Sequence, residues 1–185
     1  MKKILLALFL LCFCSSAIYA QPLTKDESTR KLLSLLGAKN YIDQMIQLYI
    51  TNVEDDQARL KVAEILSELK KVQFDELLVP IYQKYLTEKD IEGLNTFFES
   101  PTGKKMTKIE LLVLQESKNL DVEGEQANKN REKIYREQMT VTDQKNLNAF
   151  YKSAVAQKYL KVEPLISNES GLIGEEIFKK FIKII

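Results

Sequence analysis

The sequence holds no histidine, and its two cysteines, Cys12 and Cys14, both fall within the first 20 residues. Imidazole is the commonest general base and transition-metal ligand, and a thiolate is the usual substitute for either task. Beyond residue 20 no Ser-His-Asp, Cys-His or zinc site can be built, so any chemistry would come from carboxylates, lysines, tyrosines and hydroxyls. Ser28/Lys31 and Ser67/Lys70 have the Ser-x-x-Lys spacing that puts a nucleophile and a base on one helix face, but the Ser-Asp-Asn and Lys-Thr-Gly elements that complete such a mechanism are missing. Thr102-Gly103-Lys104-Lys105 has the glycine and lysine of a phosphate loop without the earlier glycine or the hydroxyl after the lysine. Asp121, Glu123 and Glu125 offer oxygens to calcium, yet Gly124 is out of place for an EF-hand loop and a solvated acidic turn is expected. Asp55-Asp56 and Glu175-Glu176 fall beside expected helix starts, where negative charge is favoured. The chain therefore reads as non-enzymatic: no catalytic, metal or cofactor-binding residues are assigned, and no cofactor is expected.

The elements around these groups show helical periodicity. Ile42, Met45, Ile46 and Tyr49 follow i, i+3, i+4, i+7 spacing. So do Val62, Ile65, Leu66 and Leu69, and then Phe74, Leu77, Leu78, Ile81, Tyr82 and Tyr85. Only 6 glycines and 4 prolines interrupt the chain, and no stretch alternates as a strand would. The fold class is all-α. Gly37 suits the left-handed stop of a first helix. Thr87 with Asp90 predicts a capping box, with Leu86 and Ile91 placed as a hydrophobic staple. Ser100-Pro101 reads as a cap followed by proline in a first turn, so one helix ends near Glu99 and another starts at once.

This grammar recurs 53 residues later without a gap. Ile81-Tyr82 matches Ile134-Tyr135, Thr87 matches Thr140, Asp90 matches Asp143, and Leu94-Asn95 matches Leu147-Asn148. Phe97, Ser100, Lys105, Glu110 and Leu112 match Phe150, Ser153, Lys158, Glu163 and Leu165. Several of these residues are not dictated by helix periodicity, so segments 81–113 and 134–166 read as a duplication. The expected architecture is a compact array of two related helical hairpins stacked on an N-terminal helical layer, in one domain over 21–185. In the second segment Ala154 and Ala156 replace Pro101 and Gly103, which predicts a softer bend or a continuous helix there.

Val79-Pro80-Ile81-Tyr82-Gln83-Lys84-Tyr85 through Thr87, then Phe97-Phe98-Glu99-Ser100-Pro101-Thr102-Gly103-Lys104-Lys105, resembles the domain of unknown function 2059 family. The Gly37-Ala38-Lys39 turn followed by 41–46 is similar to the upstream region of such proteins. The resemblance implies an exported bacterial protein of helical fold and brings no activity with it. Read physically, Phe97 and Phe98 belong to the buried side beside Leu94, and Gly103 lets the next helix approach closely. A ligand pocket lined by Phe97, Phe98, Phe150 and Tyr151 is the alternative use of the same rings.

Residues 1–20 read as a secretory signal. Lys2 and Lys3 precede an apolar run from Ile4 to Phe13, and Ala20 is a suitable small residue for cleavage. The apolar stretch is shorter than the roughly 20 residues that span a bilayer. With 27 basic and 26 acidic residues there is no strong basic field, and nucleic acid is not an expected partner. Beyond Gly171 and Gly174, Ile177, Phe178, Phe181, Ile182 and Ile185 make one apolar face, with Lys179, Lys180 and Lys183 on the other side. A basic amphipathic helix over 175–185 would either dock on the helical stack or lie on an anionic membrane surface. The sequence thus points to a periplasmic or secreted helical protein that works by binding another envelope protein. The second reading is a membrane-surface or lipid-binding protein, using helix 175–185 or the aromatic pocket.

Overall fold

The computed structural model describes residues 23–39, 43, 55–69, 71–116 and 125–182. Residues 1–20, read as the secretory signal, and the stripe from Ile42 to Tyr49 lie outside them. Among the described residues there are eight helices and no strand: α1 (Lys25–Leu35), α2 (Asp56–Leu69), α3 (Phe74–Tyr85), α4 (Glu88–Glu99), α5 (Pro101–Glu116), α6 (Glu125–Gln138), α7 (Val141–Tyr151) and α8 (Ala154–Ile182).

Local chemistry sets most of these boundaries. α1, α4 and α7 each open on a full capping box: Thr24 with Glu27, Thr87 with Asp90, and Thr140 with Asp143. In each, the threonine hydroxyl accepts from the amide three residues on, and the carboxylate accepts from the threonine amide, so two orphan donors are satisfied. Gly37, at φ 73°, ends α1 in the left-handed region. Leu86 and Ile91 are buried as the staple around the Thr87 cap requires.

The corner between α4 and α5 is tight. The Ser100 hydroxyl accepts from the Gly103 amide at 3.1 Å. A Cβ on Gly103 would lie 2.2 Å from the Phe97 carbonyl oxygen and 2.6 Å from the Phe98 Cα, so only glycine fits. At the second corner Ser153 caps in the same way, accepting from the Ala156 amide at 3.3 Å. Lys152, in the right-handed helical region, adds a turn residue between α7 and α8. The helix is broken rather than continuous, and the wider corner leaves room for the methyl group of Ala156, which is fully buried.

α1 lies across α3 and α4 as an N-terminal layer. Its Leu32 is fully buried in a cluster with Ile81, Leu86, Ile91, Leu94, Phe98 and Ile166. The two related segments do not fold back on themselves. α8, the last helix of the second segment, packs on α3 of the first; α5, the last helix of the first, packs on α6 of the second. Ile81 and Leu86 thus share a core with Tyr159, Val162 and Ile166. Their counterparts Ile134 and Met139 share a smaller core with Met106, Ile109 and Val113. Each core is built from both segments, and the hairpins are stacked by exchange of their final helices.

The C-terminal reading is corrected in one respect. Residues 175–182 are not a separate short helix but the end of α8, which runs 29 residues through Pro164, Gly171 and Gly174. Glu175 is consequently mid-helix, paired with Lys179 at 2.5 Å, and marks no helix start. Ile177 packs against Leu66 and Leu69 of α2, which places this part of α8 on the helical body.

Candidate functional site

The polar and aromatic residues shared by the two segments converge where α4, α5, α7 and α8 meet. Phe97 and Phe150 stack with centroids 3.5 Å apart and planes within 5°. Phe98 meets Phe97 and Phe150 edge-on, at 5.2 and 6.1 Å. These rings occupy one another's space, so the aromatic pocket imagined from the sequence is filled by its own walls. Tyr151 packs beside Phe150 at 5.8 Å.

Two crossed ion pairs flank the stack. Lys105 of α5 donates to Asp143, the cap carboxylate of α7, and Lys158 of α8 donates to Asp90, the cap carboxylate of α4. Lys105 matches Lys158 and Asp143 matches Asp90 in the 53-residue spacing, so each segment's lysine closes the other segment's cap. Neighbouring contacts follow the same rule. Asn146 donates to the Thr102 hydroxyl at 3.2 Å. At the matching positions, Gly93 faces Val155, whose methyl group would lie 3.2 Å from an added Cβ. When residue i meets j′ and i′ meets j, the pattern is isologous, as at a two-fold interface, and a stacked equivalent pair belongs on its axis.

Each carboxylate is tuned by these contacts. The Lys105 ammonium, the Thr140 hydroxyl and amide, and the Thr102 hydroxyl at 3.0 Å hold Asp143 far below the usual carboxylate range. Burial pushes Asp90 upward, but Lys158 and Thr87 outweigh it and the net shift is downward. Tyrosines form a second crossed layer. Tyr135 donates to Glu110 of the first segment at 2.8 Å. Its counterpart Tyr82 lies against Tyr159, with Glu163, the counterpart of Glu110, close enough to act on it. Burial pushes Tyr82, Tyr135 and Tyr159 all above the ordinary phenol range.

The family described as "uncharacterized protein conserved in bacteria (DUF2059)" has a model that matches residues 72–132 and, a second time, residues 125–183. The chain belongs to this family. The two matches start 53 residues apart, the same spacing that relates Phe97 to Phe150. Comparison with curated proteins and with solved structures finds no match.

The other groupings singled out in this DUF2059 chain are held apart or already committed. Ser28 is buried, and Lys31 pairs with Glu99 at 2.7 Å. Ser67 is exposed, and Lys70 lies outside the described residues, as do Asp121 and Glu123. Asp56 does open α2, pairing with Arg59 at 3.0 Å. The Thr102–Lys105 run forms the first turn of α5 with its hydroxyl and Lys105 both turned onto Asp143, so it makes no phosphate cradle. An open cavity of about 340 Å³ lies beside the α2–α3 corner, lined by Lys39, Asp43, Lys71 and the start of α3. No described helix is long and apolar enough to cross a membrane. Helix periodicity alone does not predict the crossed pairs, although the sequence carries a signal: Asp90/Asp143 and Lys105/Lys158 recur at charged positions that periodicity does not require.

Proposed function

We propose that this chain is an exported, non-enzymatic helical module that acts by binding another protein of the bacterial envelope. The observation that carries the proposal is the pair of crossed lysine–carboxylate contacts. Both carboxylates, held below their usual range, are closed by cations and caps of the same chain, where a perturbed acid in a catalytic cleft would face open space. The absence of imidazole and of any thiol beyond residue 20 supports the same reading. Export is supported by the charged start and apolar run of residues 2–13 and by the suitable Ala20.

The membrane-surface alternative draws on Lys179 and Lys180, which are exposed. It is weakened by Ile177, which is half-buried against Leu66 and Leu69 of α2. The test is chemical cross-linking of the processed protein in intact envelopes, followed by purification and mass spectrometry. A reproducible protein partner, with the mature chain starting at Gln21, is the expected result. A bound lipid and no protein would favour the alternative. An unprocessed chain in the cytosol would remove the envelope from the proposal.

A further inference from the structure

α8 turns Tyr159, Val162, Ile166 and Ile173 onto the core. At about 100° per residue, positions 161, 165, 168, 172 and 176 share a side turned away from them. On that side Leu165 and Leu172 are 50% and 54% exposed, and Lys161 and Glu176 are exposed with them. Single exposed leucines are ordinary on a protein surface. These two are placed in order: they lie seven residues apart, and each is four residues from a charge of opposite sign to the other's. The row Lys161, Leu165, Leu172, Glu176 therefore reads alike in both directions, with the signs reversed.

Such a row fits a second copy of itself. When two α8 helices run antiparallel about a two-fold axis between positions 168 and 169, Leu165 of each meets Leu172 of the other. Lys161 then meets Glu176 at each end, and Asn168 lies beside the axis. The contact is isologous, so both kinds of pair form twice. A parallel arrangement would set Lys161 against Lys161 instead. The other charges of α8 near this row do not oppose the register. Glu169 is held by Lys84 and Tyr85 of α3, Lys158 by Asp90, and Lys179 by Glu175. Lys161 and Glu176 have no such partner among the described residues. From Lys161 to Leu172 the steps of four, three and four residues are those of a coiled-coil seam, with the polar Asn168 placed to fix its register.

We infer that α8 is a self-association surface through which two copies pair antiparallel, leucine on leucine and lysine on glutamate. The row spans about 22 Å. A contact of that length buries less than the roughly 1,200 Å² of a standard interface, so the dimer is weak and concentration-dependent. Self-association is separate from the binding of an envelope protein, and either can fail without the other.

The test is sedimentation of the processed full chain from roughly 10 µM to 1 mM. Wild type should move from monomer towards dimer across this range. Lys161→Glu and Glu176→Lys each bring like charges together at both ends, and each should raise the dissociation constant about tenfold or more. Mixed in equal amounts, the two variants should associate as wild type does, because each then meets its complement at both ends. Leu165→Ser, at an exposed position, should weaken the dimer and leave the thermal midpoint unchanged. A wild type that stays monomeric throughout, or a mixture without rescue, would overturn the inference. Single variants that associate as wild type does, with a mixture stronger than wild type, would overturn it in favour of parallel pairing. A monomer whose thermal midpoint falls on Leu165→Ser would make the cover a segment of the same chain. A monomer that loses binding to phosphatidylglycerol vesicles on Leu165→Ser would give the row to a lipid surface, and the inference would fall.

Discussion

Phe97 and Phe150 are 53 residues apart in the chain and lie ring on ring, 3.5 Å between centroids. Ring quadrupoles favour offset or edge-on contacts over a direct sandwich. Here the isologous arrangement brings two equivalent rings face to face, and Phe98 supplies edge-on contacts to both. The stack joins equivalent positions of the two segments, beside the mixed cores and the crossed ion pairs.

Truncating either ring should therefore weaken the whole array. Phe97→Ala is expected to lower unfolding stability by about 3 kcal/mol in urea titrations, the lower end for a large aromatic because the side chain is only half-buried. Phe97→Leu and Phe150→Leu should be coupled by about 1 kcal/mol in a double-mutant cycle. Additive losses would show that the rings act separately.

The crossed pairs predict acid lability. Asp90 and Asp143 have folded pKa values below their unfolded ones, so between the two values the unfolded chain binds more protons and stability rises with pH. Their contribution is fully present above the unfolded carboxylate pKa of about 3.9 and is lost as pH falls through the folded value. Thermal midpoints measured from pH 2 to pH 7 should fall steeply at the acid end. Lys105→Met should flatten that limb, and an unchanged slope would mean Lys105 does not hold Asp143 low.

At alkaline pH the sign reverses. Tyr82, Tyr135 and Tyr159 have raised folded values, so their contribution is complete below the ordinary phenol pKa of about 10 and is lost as pH rises through the folded value. Ultraviolet titration should show a fraction of the 8 tyrosines ionising only together with unfolding. Smooth titration of every tyrosine in the folded protein would contradict their burial.

The two corners should respond unequally to a methyl group. Gly103→Ala forces a Cβ onto the Phe97 carbonyl and is expected to cost about 1–3 kcal/mol as the α4–α5 corner opens. Ala156→Gly, at the wider corner, should cost only about 1 kcal/mol, chiefly through backbone entropy. Denaturation curves for the two variants measure the difference directly.

Ending the chain at Gly174 removes Ile177 from Leu66 and Leu69. The shortened protein should expose the apolar side of α2, bind a hydrophobic dye and melt at a lower temperature. A shortened protein with unchanged stability that no longer binds anionic vesicles would instead make the end of α8 a membrane contact.

Much of this molecule was legible in its residues. Capping boxes are local, since a threonine and a carboxylate three places on satisfy each other's amides in any surroundings, and Thr87–Asp90 followed from spacing alone. Gly37 was readable for the same reason: a left-handed φ suits glycine wherever it occurs. The 3.6-residue stripes over 62–69 and 74–85 told which sides of α2 and α3 carry the apolar contacts, and the 53-residue recurrence told that the segments are related. The stripes could not tell what each side is buried against, because apolar burial is favourable without being directional. Only the tertiary structure decided that α5 and α8 exchange places, that Lys105 closes the cap at Asp143 while Lys158 closes the one at Asp90, and that α1 covers one segment's face and not the other's. Those outcomes depend on the angle at the Ser100 and Ser153 corners and on charges meeting across the array, and no short stretch of sequence contains either.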